Sequence, residues 1–405
     1  MSKSLAWTSV LACTERGPRP TLSNAVTVLQ KDPTLGPDRF WYDEFLDQIF
    51  VANSPTRAWR DDDDYKLTVY LQEAIGMVTV ADHLVAKAVR LVARQRPKHL
   101  VRDWLTALVW DGQPRIAHAF EDYWGADRQP SDYVRAASAN FFIGLVARIL
   151  QPGCKLDTMP VFEGQQGIKK SSALDVLGGA HYAVINEAVS TKDFLQSLRG
   201  KWLLEISELQ SFSRSDVAHV KSMMSTRSDH YRPSYGRSTV EFPRQCAFAG
   251  TTNADDWGTD DTGLRRFWPI SCGDIRLDLL ARARDQLFAE AVHAYRVGKT
   301  WWMMPTVTIA QQAERQQYDD WTEAVTTSAR LALLQGAEYV TVPDLASAAL
   351  KLPMAQLDKS AQMRIARILR LNGWVRKTLR NGTIITKAWV LGGGNVVTES
   401  DVFIG

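Results

Sequence analysis

Residues 161 to 172 read VFEGQQGIKKSS: an apolar run enters a glycine-containing turn that delivers a lysine and a serine to the start of a helix. This is the layout of a phosphate-binding loop. The phosphates of a nucleotide carry several negative charges, so a cradle for them needs inward-turned backbone N–H groups, and Gly164 and Gly167 permit that turn. Lys170 is predicted to reach the outer phosphates and Ser171 to hold Mg²⁺, while the helix from Ser171 to Leu177 points its positive end at the anion. The stretch expected to contact ATP is Gly164, Gln165, Gln166, Gly167, Ile168, Lys169, Lys170, Ser171 and Ser172. Lys169 stands where the G-x-x-x-x-G-K-S pattern has its last glycine, so its side chain must tip outward to let phosphates approach. The alternative is a plain glycine-rich turn between a strand and a helix.

Phosphoanhydride hydrolysis also needs a metal, a group that orients water, and positive charge at the leaving group. KWLLEISEL supplies Glu205 and Glu208 on or just beyond a buried strand. Glu208, at the carboxyl end, is the better placed for water; Glu205 is the expected metal partner with Ser171, or a mid-strand carboxylate paired with a basic neighbour. Asn253, closing QCAFAGTTN, is placed to orient the same water or to cap the following helix. Arg265 and Arg266, just before FWPIS, suit either surface charge or an arginine finger acting across a subunit boundary, which would imply a ring.

These residues need a scaffold. From Thr158 onward, short apolar runs alternate with helical segments: TMPVFE, KWLLEIS, QCAFAGTTN and FWPIS. Such alternation predicts an α/β fold with a parallel sheet covered by helices on both faces and ligands beyond the carboxyl ends of the strands. Upstream, residues 1–24 read as a flexible arm and residues 25–150 as a helical domain, with helical spacing over Asp43–Ile49, Tyr65–Ala74 and Val80–Ala93. The acidic run at Arg60–Tyr65 reads as a helix start rather than a metal site, and Trp110-Asp111-Gly112 with Arg115 as a turn between helices. The core is expected over residues 151–330. Residues 331–405 show helices at Pro343–Leu350 and Lys359–Leu371, then strands joined through Asn381-Gly382, the outline of a winged helix. Arg364, Arg367 and Arg370 fall three apart along that second helix, as a DNA-binding face or a solvated basic one.

Composition sets the outer bounds. At 405 residues, 45% hydrophobic and 23% charged, the chain is long enough for two or three globular domains. No run of about 18 apolar residues and no secretory signal are evident, which predicts a cytoplasmic protein without a membrane partner. Four scattered cysteines form no C-x-x-C pair and read as buried thiols. A net charge of +3 permits nucleic-acid binding without requiring it.

GQQGIKKSSAL, KWLLEISEL, DHYRPSYGR, FPRQCAFAGTTN and TGLRRFWPI, in this order, resemble the virulence-associated protein E family of phage and mobile-element P-loop ATPases. That family is similar to superfamily III helicases, which are AAA+ ring ATPases, and the resemblance runs from about residue 40 to about residue 310, taking in LVWDGQPRI and PGCKLDTMP. It implies an AAA+ P-loop core with a Walker A loop at Gly164–Ser171, a Walker B segment at Glu205–Glu208, a sensor at Asn253 and finger candidates at Arg265 and Arg266. It also implies a channel hairpin within SDHYRPSYGRSTVEFPRQ, where Arg232, Tyr235, Arg237 and Arg244 would contact DNA. An edge hairpin with protective basic residues is the other reading.

The resulting expectation is an ATP- and Mg²⁺-dependent DNA helicase or replication ATPase of a phage or integrated element, acting in the bacterial cytoplasm. It would form a ring, a hexamer by resemblance, on single-stranded or forked DNA, with a separate primase partner left open. A non-translocating nucleotide-dependent DNA-binding switch is the alternative. A small-molecule P-loop kinase fits less well, for it leaves the hairpin and the paired arginines unexplained.

Overall fold

Asn24 ties down the chain's beginning. In the computed structural model, which describes residues 6–35, 39–52, 56–185, 192–208, 214–232, 238–253, 257, 265–313, 320–381 and 384–392, a 3-10 turn at Ala6–Val10 leads into a small hairpin, β1 (Cys13–Thr14) and β2 (Gly17–Pro18), and helix α1 (Leu22–Lys31). The Asn24 amide accepts from the Ala12 N–H at 3.0 Å and donates to the Ala12 and Arg19 carbonyls at 2.8 and 2.9 Å. Leu11 is buried with α1. The described part of the expected arm is therefore folded structure. The chain divides into two compact units, Met1–Asp255 with Leu264–Ala313, and Asp256–Gly263 with Glu314–Gly405.

The helix expected over Asp43–Ile49 is a hairpin instead, β3 (Phe40–Asp43) and β4 (Gln48–Val51). Asp43 Oδ1 accepts from the Phe45 and Leu46 N–H groups, each at 2.8 Å, and Asp47 adopts a left-handed φ of 56°, so local side chain to backbone bonds outcompete helix. Across the pair Trp41 stacks on Phe50 at 4.9 Å. With β5 (Arg57–Ala58), α2 (Asp61–Glu73), α3 (Asp82–Arg94) and β6 (Pro97–Lys98), this makes a four-stranded sheet of order β5-β4-β3-β6 packed by helices around Val28, Leu71, Val85 and Val89. The amino-terminal region is thus mixed rather than all-helical. The aspartate run does serve a helix start: Asp63 accepts from the Arg60 N–H at 2.9 Å and pairs with Arg57 at 2.6 Å, and Asp64 accepts from Trp59 Nε1.

Next come α4 (Leu100–Ala107), α5 (Ala119–Trp124) and α6 (Ser131–Leu150). The intervening turn is closed by Arg115 gripping both Asp111 oxygens at 2.7 Å. Helix α6 is long and apolar enough to cross a membrane, yet 78% of its most apolar window is buried inside the protein. It shares one core with the following sheet, so the expected domain boundary near residue 150 falls inside that core.

That sheet positions the loop. Its elements are β7 (Met159–Glu163), α7 (Lys170–Gly178), β8 (Tyr182–Ile185), α8 (Lys192–Ser197), β9 (Leu203–Ile206), α9 (Arg214–Ser225), the hairpin β10 (Ser228–Tyr231) and β11 (Val240–Pro243), β12 (Ala247–Thr252), β13 (Phe267–Ser271), α10 (Leu277–Arg296) and α11 (Thr308–Ala313). The five strands run in the order β13-β7-β12-β9-β8, every neighbour parallel. Every residue of β7, β9 and β12 is buried, as strands covered on both faces must be. The four strands read from apolar runs are all present. The fifth, β8, is a half-buried edge strand that the sequence reading did not single out. Phe162 on β7 stacks on Trp124 at 5.4 Å and meets Phe120 edge-on at 5.1 Å, anchoring the strand two residues before the loop.

The second unit has its own core. It contains α12 (Thr322–Leu334), β14 (Val340–Thr341), α13 (Val342–Leu350), α14 (Lys359–Leu371), β15 (Trp374–Asn381) and β16 (Ile384–Leu391), with sheet order β14-β16-β15. Val325 on α12 joins Leu345, Ile365, Leu369, Trp374 and Trp389 in that core, which moves the expected boundary at residue 330 back toward residue 314. Asn381 pairs with Ile384 as the hairpin signal requires, and Gly382 lies outside the described residues. Of the four cysteines, Cys154, Cys246 and Cys272 are buried and Cys13 is exposed, against expectation.

Candidate functional site

The loop after β7 is built by three left-handed residues. Gly164 has φ +143°, a conformation that L side chains rarely adopt, and a Cβ there would also lie 2.7 Å from the tip of Ile168, so backbone conformation first and space second favour glycine. Gly167 has φ +87° with open space around it, so conformation alone selects it. Lys169, at the helix N-cap, has φ 74° with its side chain exposed. The outward tilt expected of it is present, at a backbone strain of roughly 1–2 kcal/mol for a residue with a Cβ. Gln165, Gln166 and Ser172 are exposed, while Ile168 packs on the core.

Helix α7 begins at Lys170, whose side chain curls back under the loop. Its ammonium donates to the Gly164 carbonyl at 2.6 Å, the Gln165 carbonyl at 2.9 Å and Asn253 Oδ1 at 3.1 Å, and the residue is only 7% exposed. Burial lowers its pKa below the ordinary lysine value, with Cys272 and Glu205 pulling it back up. Asn253 follows directly on β12, and β12 lies between β7 and β9, so the strand order carries the Asn253 amide and the β9 carboxylate to the same edge as the loop.

Glu205, fully buried on β9, accepts three hydroxyls: Ser171 Oγ at 2.7 Å and Thr251 Oγ1 at 2.6 Å on one oxygen, and the Tyr182 phenol on the other. Among the described residues the hydrogen-bond partners of this carboxylate are hydroxyls rather than the basic neighbour that one reading expected. Burial first, then the bond to Glu205 and its charge, push the Tyr182 phenol well above its ordinary pKa, so it stays a donor. Ser171 and Glu205 present adjacent hard oxygens, a donor set that fits Mg²⁺ completed by water and phosphate. Thr251 and Tyr182 escaped the sequence reading, since a lone threonine or tyrosine carries no spacing signal. Glu208 lies two residues past β9, exposed and with φ 54°, a conformation that residues with a Cβ hold only where surroundings impose it.

The arginine pair sits before β13. Arg266 donates to the Lys221 carbonyl at 2.6 Å, whereas Arg265 is exposed. Burial, then Arg266 and Arg265, push Lys221 down to about 8. These three side chains form a cationic corner.

The expected DNA contacts fare unevenly. Arg232 is exposed at the end of β10, and Tyr235 and Arg237 lie outside the described residues. Arg244 is a correction: its side chain is 2% exposed, it pairs with the buried Asp229 and donates to the Met223 carbonyl, so it braces the base of the hairpin and is closed to a phosphate. Arg367 is a second correction. A spacing of three on a helix of 3.6 residues per turn drifts about 60° per step, and Arg367 lands beside Ile368 on the buried side at 7% exposure. Arg364 is half-buried with its guanidinium 4.0 Å over Trp321, and Arg370 is exposed.

Fold and site together describe an α/β protein whose parallel five-stranded sheet gathers a lysine-bearing glycine loop, a buried glutamate and an asparagine at one edge. The model of the virulence-associated protein E-like domain family matches residues 105–320, more than half of the chain, and the chain belongs to that family. The matched span opens in α4 and closes just past the first unit, agreeing with a core that starts before residue 150. No curated protein matches the chain. Among solved structures it is similar to the apo structure of the NrS-1 C terminal region (305-718), with 13% identity, a TM-score of 0.47, and coverage of 87% of this chain and 96% of that one. A second, the A form apo structure of the NrS-1 C terminal region-CTR, shows 13% identity, a TM-score of 0.48, and coverage of 93% and 99%.

Lys169 offers the first test. Lys169→Gly is expected to leave the melting temperature unchanged or raise it slightly, because relief of left-handed strain outweighs the freer unfolded chain. Lys169→Val, β-branched, should lower stability by more than about 1 kcal/mol. Thermal unfolding of the two variants checks this; equal loss in both would mean the loop does not hold the left-handed turn.

Proposed function

We propose that the chain is an AAA+-type P-loop ATPase that hydrolyses ATP with Mg²⁺ and works as a ring-forming DNA helicase or replication ATPase of a phage or mobile element. The observation that carries this reading is the hydrogen-bonded convergence of Lys170, Asn253, Ser171 and Glu205 at the carboxyl edge of a parallel sheet. Lys170 exchanges its two loop carbonyls for the outer phosphates, and the freed loop turns N–H groups toward them. Ser171 and Glu205 hold Mg²⁺, which when bound neutralises phosphate charge. Glu208 orients the attacking water with Asn253, and Tyr182 and Thr251 keep the Glu205 carboxylate aimed. The three helices and three-stranded sheet of the second unit support a winged-helix reading of that unit.

The cationic corner supports a ring. Arg265, exposed beside Lys221, is the better finger of the pair, since Arg266 is already spent on a carbonyl. Arg265→Ala is expected to keep nucleotide affinity and lose about 10³-fold or more in turnover. Mixing it with Lys170→Ala protein should restore activity at interfaces where an intact loop meets an intact finger. Mixed oligomers that show no recovery count against a finger in trans.

ATP hydrolysis measured with and without single-stranded DNA, alongside mass in each state, tests the whole proposal. Stimulated hydrolysis by an oligomer is expected, and absence of both nucleotide binding and hydrolysis overturns it. The strained Lys169 favours a second reading, a slow nucleotide switch that binds DNA without translocating. ATP-dependent strand separation decides between them.

A further inference from the structure

Helix α14 is capped by Asp358, whose carboxylate accepts from the Ala361 N–H at 2.7 Å, and turns Ile365, Ile368 and Leu369 into the core of the second unit. Lys359 and Arg370, at its two ends, remain exposed. They are eleven residues apart, about three turns or roughly 16 Å along the axis. On the neighbouring hairpin Arg376 stands opposite Trp389 and Thr378 opposite Lys387. Opposed residues of an antiparallel pair share a face, as do residues two apart, so Arg376 and Lys387 project from the same side of β15 and β16.

These two arrays face one cleft. It has a volume of about 600 Å³, and its lining includes Trp389, Thr341–Pro343, Lys359, Arg370, Arg376 and Lys387. None of its described lining residues is acidic. Two carboxylates on the flanking elements are already committed: Asp358 to its cap and Asp344 to the Thr341 hydroxyl at 2.6 Å. Four exposed cations in one concave, single-sign surface gain little from packing and repel one another, an arrangement that suits an extended polyanion. A single phosphate could not engage both ends of α14. A nucleic-acid strand repeats its phosphate at every nucleotide, so several successive phosphates can span that distance.

We propose that this cleft binds the phosphodiester backbone of a nucleic-acid strand through Lys359, Arg370, Arg376 and Lys387. Three of these four lie outside the arginine row of α14 that its spacing singled out, and the site stands independently of ATP hydrolysis.

The test uses the full chain without nucleotide, in both wild-type and Lys170→Ala backgrounds, so that a failed motor and a failed cleft give different results. Fluorescence anisotropy with a labelled single-stranded oligonucleotide and with its duplex is followed from about 50 to about 200 mM salt. Combined Lys359→Gln, Arg370→Gln, Arg376→Gln and Lys387→Gln should weaken binding at least ~10-fold at the lower salt. It should also flatten the slope of log affinity against log salt by ~0.7 per lost contact on a single strand or ~0.9 on a duplex. The larger loss identifies the form the cleft takes. Lys87→Gln, Arg282→Gln, Arg296→Gln and Lys299→Gln together, four exposed cations of the first unit, control for net charge and should change little. Single Arg376→Gln and Lys387→Gln variants, each expected to remove about one contact, serve if the combined variant unfolds. Unchanged affinity and slope, a loss no larger than in the control, or wild-type protein that binds an acidic polypeptide in place of both oligonucleotides overturns the assignment.

Discussion

Lys170→Ala is expected to abolish ATP hydrolysis while leaving the fold intact. Its ammonium is the cation that the loop already surrounds, held by two loop carbonyls and Asn253. Removing it withdraws the charge that would meet the outer phosphates, a loss of at least ~10²–10³-fold in turnover. The stability cost is modest, because the Gly164 and Gln165 carbonyls sit in a loop where water can replace the amine. Phosphate release, nucleotide affinity and thermal unfolding measured together check this. Lys169→Ala is the matched control, since that side chain already points to solvent, and it should retain most activity. A dead Lys169→Ala beside an active Lys170→Ala would mean that the loop is read one residue out of register.

Glu205→Gln and Glu208→Gln are expected to fail in different ways. Glu205 receives hydroxyl bonds on both oxygens, and an amide would set its NH₂ against one of those donors in a fully buried position. Such a mismatch costs about 1–3 kcal/mol of stability. Glu205→Gln should therefore lower the melting temperature and raise the Mg²⁺ concentration needed for nucleotide binding. Glu208 is exposed beyond the strand, so Glu208→Gln should leave melting and nucleotide affinity alone and reduce turnover by ~10²–10⁴-fold, the range for a lost general base. Calorimetric melting, nucleotide binding across a Mg²⁺ titration and single-turnover hydrolysis separate the two patterns. Normal turnover in Glu208→Gln would remove it from the water-activating role.

The loop was legible in the sequence because its constraints are local. Gly164, Gly167, Lys170 and Ser171 lie within eight residues, and a positive φ or a helix start depends on near neighbours. The central strands were legible because fully buried parallel strands read as continuous apolar runs. The hairpin β15–β16 was legible from its turn. The β3–β4 hairpin was misread because a short apolar spacing suits either period, and the Asp43 turn that decides it is a side-chain bond.

What the chain's order of residues determined by itself is the glycine loop with its helix start, the buried central strands and the family. Tertiary structure alone decided which charged and polar groups face solvent and which face each other. Tyr182 reaches Glu205 from 23 residues away because β8 pairs with β9. Arg244 and Arg370 look alike as letters, yet one is locked against Asp229 in the hairpin's base and the other opens onto a cationic cleft. Local propensity acts through bonds along the chain, whereas burial and pairing act through space, and only the packed fold determines which distant residues become neighbours.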